Sequence, residues 1–246
     1  MNSKRLAIVI TLFLTLTAGM TATTQAKVKK KVKQKSTANS AYAPVKDVPG
    51  LPRVLLIGDS ISIGYTLPVR KIMAGQANIH RPATNCGPSK KGLEELDKWL
   101  AEGPWDVIHF NFGLHDLKTV NDGKYACPIE QYEKNLQAIV SRLKETGAKL
   151  IWCSTTPVPI AKTRPSRSDR DVVAYNKIAE KIMKANDIPI DDLYAFALPQ
   201  LEKIQIPANV HFTKKGSEVL AGKVAESIKK ALVEKKKQNS KSDSKQ

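Results

Sequence analysis

Arg53-Val-Leu-Leu-Ile-Gly-Asp-Ser60 is the stretch that decides the fold. An apolar run that stops abruptly at small and polar residues is typical of a buried strand. Open α/β folds bind their ligands at the carboxyl ends of such strands. The stretch therefore predicts that a first strand presents the hydroxyl of Ser60 at the ligand-binding edge of a sheet. Asp59 is expected to brace the turn.

The rest of the chain alternates between strand and helix patterns. Strands are expected at residues 54–57, 79–83, 106–112, 149–154 and 190–193. Helices are expected at residues 68–74, 129–145 and 169–185, after Gly92 and after Thr213. Such alternation is typical of a parallel sheet with helices on both faces. We therefore predict an α/β fold, a three-layer α/β/α arrangement around a mostly parallel five-stranded sheet.

The first 26 residues have the pattern of a signal peptide. Lys4 and Arg5 precede an apolar run of 13 residues, 6–18, and small residues lead up to Ala26. Because a membrane span needs about 20 apolar residues, the run is too short to cross a bilayer. We predict cleavage near Ala26 and export to the periplasm or the medium, with an uncleaved membrane anchor as the alternative.

The net charge of +17 is concentrated outside the expected domain. Residues 51–232 hold 26 Lys and Arg against 20 Asp and Glu, a net charge of +6. We predict a basic, disordered linker at 27–50, a folded domain at 51–232 and a Lys-rich disordered tail at 233–246. This distribution argues against a nucleic-acid partner. The termini are expected to be solvated, or alternatively to contact an anionic cell envelope electrostatically.

Three cysteines and four histidines give no metal-binding pattern. Cys86, Cys127 and Cys153 cannot all pair with one another, and an exported protein can form one disulfide among them. Their spacing matches no zinc motif, and the histidines are scattered singly. We predict no metal and no cofactor; the sequence does not say which cysteines pair.

Four short segments follow the expected strands. They are Gly58-Asp59-Ser60, Asn85-Cys86-Gly87, Gly113-Leu114-His115-Asp116 and Val210-His211. In this order they resemble the SGNH (GDSL-like) hydrolase family, over about residues 51–232. The resemblance implies an SGNH/flavodoxin-like fold and a carboxylic ester hydrolase. It assigns Ser60 as nucleophile and His211 as base, with the N–H groups of Ser60 and Gly87 and a side chain of the third segment as oxyanion donors.

Two positions depart from the family pattern. His115 occupies the place of an asparagine, and a histidine ring can also donate a hydrogen bond; Asn111 is the alternative source of an amide. Position 208 is alanine, where the family usually has an aspartate that orients the histidine. Either Asn209 or a backbone carbonyl would then orient His211. We expect a slow or dyad-type esterase whose activity rises with pH as His211 loses its proton.

The loops around the motifs are polar and favour a small acyl group on a polar carrier. Residues 117–127 and 155–168 contain no long apolar stretch to line an acyl-chain channel. Lys162, Arg164, Arg167 and Arg170 could hold an anionic substrate or be solvated surface charges. We predict hydrolysis of O-acyl, above all O-acetyl, esters on a carbohydrate. The alternatives are a lipid or thioester hydrolase, and a catalytically weak domain that binds acylated or anionic glycans.

Overall fold

The computed structural model describes residues 40–120, 123–160 and 163–243. The predicted signal peptide and residues 27–39 of the predicted linker lie outside the described residues. The chain divides into a short N-terminal unit that ends at Ala43 and a main unit that begins at Pro44.

The main unit alternates strands with helices. The strands are β1 (Arg53–Ile57), β2 (Asn78–His80), β3 (Val107–Phe110), β4 (Lys149–Cys153) and β5 (Ile190–Asp191). The helices are α1 (Ser60–Ile72), α2 (Ser89–Leu100), α3 (Ile129–Lys144), α4 (Asp169–Ala185), α5 (Leu193–Ala197), α6 (Leu201–Ile204) and α7 (Lys214–Asp243), with a 3₁₀ turn at Leu198–Gln200.

The five strands form one parallel sheet in the order β2-β1-β3-β4-β5. Leu55 of β1 lies opposite Ile108 of β3, and Phe110 of β3 lies opposite Trp152 of β4. This is the flavodoxin-like order, in which the chain reverses direction across the sheet between β1 and β3. Ligands bind outside the strand ends at that switch point, so Ser60, just after β1, lies where a site is expected.

Alternate side chains of each strand enter two separate cores. On one face, Leu55 and Phe110 pack with residues of α2, α3 and α4. On the other face, Val54 and Leu56 pack with residues of α1 and α7. Successive side chains of a strand point to opposite faces, so a strand that is apolar throughout must be covered on both sides. The predicted three-layer α/β/α fold is confirmed.

Helix α1 begins eight residues earlier than the sequence predicts. Pro68, the first residue of the predicted helix, lies inside the observed one. The helix begins at Ser60 because Asp59 caps it: the side chain of Asp59 accepts a hydrogen bond from the N–H of Ile61 at 2.9 Å. The predicted start at residue 68 is therefore wrong.

The folded unit also extends beyond the predicted linker boundary. Asp47 lies 2.8 Å from the Nε of Arg53 and 2.6 Å from the Nε2 of His80. The N–H of Val48 donates to the side-chain oxygen of Asn78 at 2.9 Å. Residues 47 and 48 thus belong to the domain, and the predicted linker ends too late.

The C-terminal segment is helical rather than disordered as far as Asp243. Lys235, within the predicted disordered tail, forms an ion pair with Asp106 at 2.9 Å, next to β3. The prediction of disorder is therefore wrong for residues 233–243, and residues 244–246 lie outside the described residues.

No helix in the described ranges combines the length and apolar character needed to cross a bilayer. All three cysteines are buried free thiols.

A polar pair is buried beneath α1 and α7. The Nε2 of His109, on β3, lies 3.0 Å from the Oδ2 of Asp191, on β5, and both side chains are almost completely buried. The Nδ1 of His109 and the Oδ1 of Asp191 have no hydrogen-bond partner among the described residues. Such a pair contributes little net stability, but each group depends on the other for compensation.

We predict strong coupling between these two residues. His109→Leu and Asp191→Leu should each lower the free energy of unfolding by about 3 kcal/mol or more, because each leaves one buried polar group without its partner. The double variant should lose much less than the sum of the two. Urea unfolding of all four proteins measures the coupling; additive losses would contradict it.

Candidate active site

An open cleft of about 590 Å³ lies beyond the carboxyl edge of the sheet. It is lined by residues from the turn after β1, from the segments that begin at Asn85 and Gly113, and from two later loops. They are Ser60, Asn85, Leu114, His115, Thr163, Arg164, Pro165, Arg167, Ala208, Asn209, Val210 and His211. The cleft therefore brings together four of the predicted site residues, Ser60, His115, Asn209 and His211.

Ser60 is held by a tight turn between β1 and α1. A Cβ on Gly58 would lie 2.7 Å from the Cβ of Ser62, so the turn requires glycine there. The carbonyl of Gly58 accepts hydrogen bonds from Arg81 and from the N–H of Cys86, both at 3.3 Å. Asp59 is buried and caps α1, as the expected bracing role requires. The serine is thus fixed from both sides.

His211 bridges Ser60 and Asn209. Its Nε2 lies 2.9 Å from the Oγ of Ser60, and its Nδ1 lies 2.7 Å from the Oδ1 of Asn209. The predicted nucleophile and base, 151 positions apart in the sequence, are therefore in hydrogen-bond contact. An amide, rather than a backbone carbonyl, is the partner of the second ring nitrogen.

The same amide fixes the tautomer of the imidazole. The Oδ1 of Asn209 also accepts the backbone N–H of His211 at 3.0 Å. Because that N–H can only donate, the amide must present its oxygen, and Nδ1 must carry the ring proton. Nε2 is then unprotonated in the neutral ring and can accept the proton of Ser60. This is the tautomer that a general base needs.

The loop that carries Asn209 and His211 is closed on itself by backbone hydrogen bonds. The N–H of Ile206 donates to the carbonyl of His211 at 2.9 Å, and the N–H of Asn209 donates to the carbonyl of Ile206 at 3.1 Å. Ala208 lies at the reversal with a φ of 54°, a left-handed conformation that is uncommon for residues other than glycine and asparagine. Ala208, which stands where the family usually has an aspartate, therefore has a role in the backbone turn.

The expected oxyanion donors are only partly available. The N–H of Gly87 donates to the Oδ1 of Asn85 at 3.0 Å, so it is occupied in this arrangement. The amide NH₂ of Asn111 donates to the carbonyl of Cys153 at 2.7 Å and to Thr155 at 3.2 Å. Asn111 does not line the cleft, so the alternative in which it supplies the amide does not fit the structure.

Asn85 lines the cleft, although no role was predicted for it from the sequence. Its oxygen accepts the N–H of Gly87, so its NH₂ group is the part of the side chain left for a ligand. The tripeptide Asn85-Cys86-Gly87 carried the signal. It could not show whether the amide of Asn85 or the N–H of Gly87 would be the donor.

His115 lies in the cleft near His211, half-buried. Burial lowers the pKa of His115, and although Asp59 opposes this, the positive charges of Arg167 and Lys118 lower it further. The ring is therefore neutral at neutral pH and can donate one N–H without bringing a charge.

A model of the GDSL-like lipase/acylhydrolase family matches residues 56–219, well over half of the chain. The chain belongs to the GDSL-like lipase/acylhydrolase family. This confirms the family that the four segments suggested and places the chain among the carboxylic ester hydrolases.

Relatives of known name agree with the family and the fold. An arylesterase of Vibrio mimicus is 25% identical over 139 residues, which cover 52% of this chain and 66% of the relative. The chain thus spans just under two thirds of that curated relative. An acetyl xylan esterase, AlAXEase, superposes with a TM-score of 0.62 at 18% identity over 72% of this chain and 99% of its own.

Two further solved structures have the same fold. A lipase/acylhydrolase from Enterococcus faecalis gives a TM-score of 0.62 at 22% identity, covering 73% of this chain and 96% of its own. A catalytic mutant of Axe2, an acetylxylan esterase from Geobacillus stearothermophilus, gives 0.61 at 14% identity, covering 74% of this chain and 95% of its own. At these identities the likeness shows the fold alone.

A group of possible metal ligands lies outside the cleft of this GDSL-like hydrolase. His109, Cys153 and Asp191, on adjacent strands, offer ligand atoms within 4.8 Å of one another, and all three are buried. The spacing of histidines and cysteines in the sequence gave no sign of this group. The hydrogen bond between His109 and Asp191 accounts for their proximity.

Asp116 is a positioning residue for which no role was predicted from the sequence. It is completely buried and accepts hydrogen bonds from the N–H of Ser89 at 2.9 Å and from its Oγ at 2.6 Å. Ser89 is the first residue of α2, and Asn135 also donates to it at 2.9 Å. Asp116 thus ties the loop that carries His115 to the helix that follows Gly87.

We predict a pH-dependent stability that originates from Asp116. Burial raises its pKa to about 6, although Ser89 donates to the carboxylate. The folded protein then keeps a proton that the unfolded chain has already lost between pH 4 and 6. The stability that Asp116 contributes at pH 4 should therefore fall by about 2 kcal/mol as the pH rises to 7.

Asp116→Asn removes this titration. The difference in unfolding free energy between wild type and variant, measured in urea at pH 4, 5, 6 and 7, should change steadily in favour of the variant. A difference that stays constant over this range would contradict the prediction.

Proposed function

We propose that this chain is a serine esterase that hydrolyses O-acyl esters, above all O-acetyl esters on a carbohydrate, through a covalent acyl-enzyme. The observation that carries the proposal is the chain of hydrogen bonds from Ser60 through His211 to Asn209, with distances of 2.9 and 2.7 Å. It joins a nucleophile, a base and a group that orients the base. Family membership supplies the reaction class.

In the first half-reaction, the Oγ of Ser60 attacks the ester carbonyl and its proton passes to the Nε2 of His211. The protonated ring then gives that proton to the departing alcohol oxygen as the carbon–oxygen bond breaks. In the second half, His211 takes a proton from water, the hydroxide attacks the acyl carbon, and Ser60 regains its proton as the acid leaves.

The negative oxygen of each tetrahedral intermediate needs donors in the cleft. The N–H of Ser60 is at the first position of α1, where backbone N–H groups lack helical partners and the helix dipole favours negative charge. The NH₂ of Asn85 and the neutral ring of His115 are the side-chain donors within the cleft. The N–H of Gly87 joins them if the oxyanion displaces the Oδ1 of Asn85. One such donor typically contributes about 10²- to 10³-fold in turnover.

Asn209 takes over one of the two functions of the usual aspartate: it orients the histidine, but it carries no negative charge. It gives His211 the correct tautomer, since its oxygen is committed to two N–H groups. A neutral amide does not stabilise the imidazolium that forms during the reaction as a carboxylate does. We therefore expect an esterase with the correct geometry and a reduced rate.

The shape of the cleft supports a small acyl group on a polar carrier. It is open, and its lining mixes arginine, asparagine, histidine and serine with a few apolar side chains. Two of the solved relatives are named for acetyl xylan, and one curated relative for aryl esters. Lipid or thioester hydrolysis would need an acyl-chain channel.

Export remains a prediction, because residues 1–26 lie outside the described residues.

We predict that the purified chain hydrolyses p-nitrophenyl acetate faster than the butyrate and the octanoate. Ser60→Ala and His211→Ala should each fall to the background rate, since each removes a proton-transfer partner. Ser141→Ala, on the exposed face of α3, is the matched control and should keep full activity. Equal rates for wild type and Ser60→Ala would refute the proposal and leave a glycan-binding domain to be tested.

We also predict opposite effects of two substitutions at position 209. Asn209→Asp keeps an oxygen toward both N–H groups and adds a negative charge, so kcat should rise. We expect a rise of about tenfold, because the pair is exposed; replacing the aspartate of a serine triad by asparagine changes kcat by ~10⁴-fold. Asn209→Ala releases the ring, and kcat should fall about 100-fold. Steady-state kinetics on p-nitrophenyl acetate at pH 8 give both values. Unchanged kcat in both variants would show that something else orients His211.

A further inference from the structure

Three of the four basic residues predicted as possible anion ligands are described, and they lie in different places in the structure. Arg164 and Arg167 line the cleft that contains Ser60 and His211. Arg170, in the first turn of α4, is exposed and is not among the lining residues. Lys162 lies outside the described residues. The structure thus separates two cleft arginines from a surface arginine of the same segment.

The charge of the two cleft arginines is not balanced within the cleft. The described residues that line it include no aspartate or glutamate. Among the described residues, none forms an ion pair with Arg164 or Arg167 within 4.0 Å, and the nearby carboxylate that attracts Arg167 is that of the buried Asp59. A polar cleft with two guanidinium groups and no acidic lining favours an anionic ligand.

The two arginines have different environments. The Nε of Arg167 donates to the carbonyl of Leu114 at 2.7 Å, and its Nη1 donates to the carbonyl of Pro165 at 3.3 Å. Arg167 therefore fastens the loop before α4 to the segment that carries His115. Arg164 is exposed, and its guanidinium is available to a ligand in the cleft. Guanidinium groups bind carboxylates in a two-pronged geometry that neutral side chains do not offer.

We propose that Arg164, supported by the charge of Arg167, forms a subsite for a carboxylate on the carrier of the ester. The preferred substrate is then an acylated acidic oligosaccharide, in which a uronic acid carries the negative charge. This inference rests on the proposed esterase function and adds the charge of the substrate to it. The open, polar lining of the cleft favours a sugar acid over an acidic lipid.

The test compares two small esters that differ in charge. 4-Acetoxybenzoate and 4-acetoxybenzamide carry the same acetyl ester, and only the first has a carboxylate. The full chain should show a higher kcat/KM for the benzoate, and this preference should shrink as NaCl rises from 20 to 500 mM because salt screens exposed charges. Arg164→Gln should lower kcat/KM for the benzoate about fivefold more than it lowers kcat/KM for the benzamide.

Arg170→Gln is the matched control. It removes the same charge from the same segment outside the cleft, so it should keep the preference for the benzoate. Equal losses in Arg164→Gln and Arg170→Gln would show a general charge effect and overturn the subsite. A wild type that hydrolyses both esters equally well would overturn it too, while leaving the esterase proposal intact.

A binding measurement separates the two proposals. Calorimetric titration of Ser60→Ala with a trimer of galacturonic acid needs no turnover, and the double variant with Arg164→Gln should bind the trimer more weakly. If no ester is hydrolysed but this difference is seen, the esterase proposal fails and the anion subsite stands. If the trimer binds both proteins equally or neither, the subsite is refuted.

Discussion

The cleft depends on the tight turn that connects β1 to α1. The turn has to convert an extended backbone into a helix within three residues, and it has room for no side chain at Gly58. Asp59 satisfies an N–H at the start of the helix, and the buried Arg81 joins the carbonyl of Gly58 to Thr66 of α1. Ser60 therefore has one position relative to the sheet, and the other groups only need to be brought to it.

The parallel sheet brings them there because all its strands end at the same edge. The segments that contain Asn85, His115 and Asp116 follow neighbouring strands. His211 lies in the segment just before α7. Links between these segments are made by side chains, such as Asp116 to Ser89 at the start of α2 and Arg167 to the carbonyl of Leu114. The cleft is thus a product of many separate contacts across the strand ends.

Much of the fold and part of the site could be predicted from the sequence, for a physical reason. Buried strands leave local patterns, and Ser60 and His211 lie in short segments with a recognisable context. The donor arrangement left no such pattern. Whether Gly87 gives its N–H to an oxyanion or to Asn85 depends on a side-chain conformation, and Asn111 is used by the carbonyl of Cys153 on a neighbouring strand. The C-terminal lysines looked too polar to order, yet Lys235 has a partner, Asp106, that is 129 positions away.

In the proposed mechanism, Asn209 supplies the orientation of the histidine without the charge of an aspartate. In a serine triad, an asparagine that turns its NH₂ toward the imidazole imposes the wrong tautomer, with a loss of about 10⁴-fold in turnover. Here that orientation would set the NH₂ against the backbone N–H of His211 as well, two donors facing each other. The backbone therefore enforces the useful orientation, and only the charge is missing. The position three residues before His211 is then free of catalytic demand, which is consistent with an alanine there in a left-handed turn.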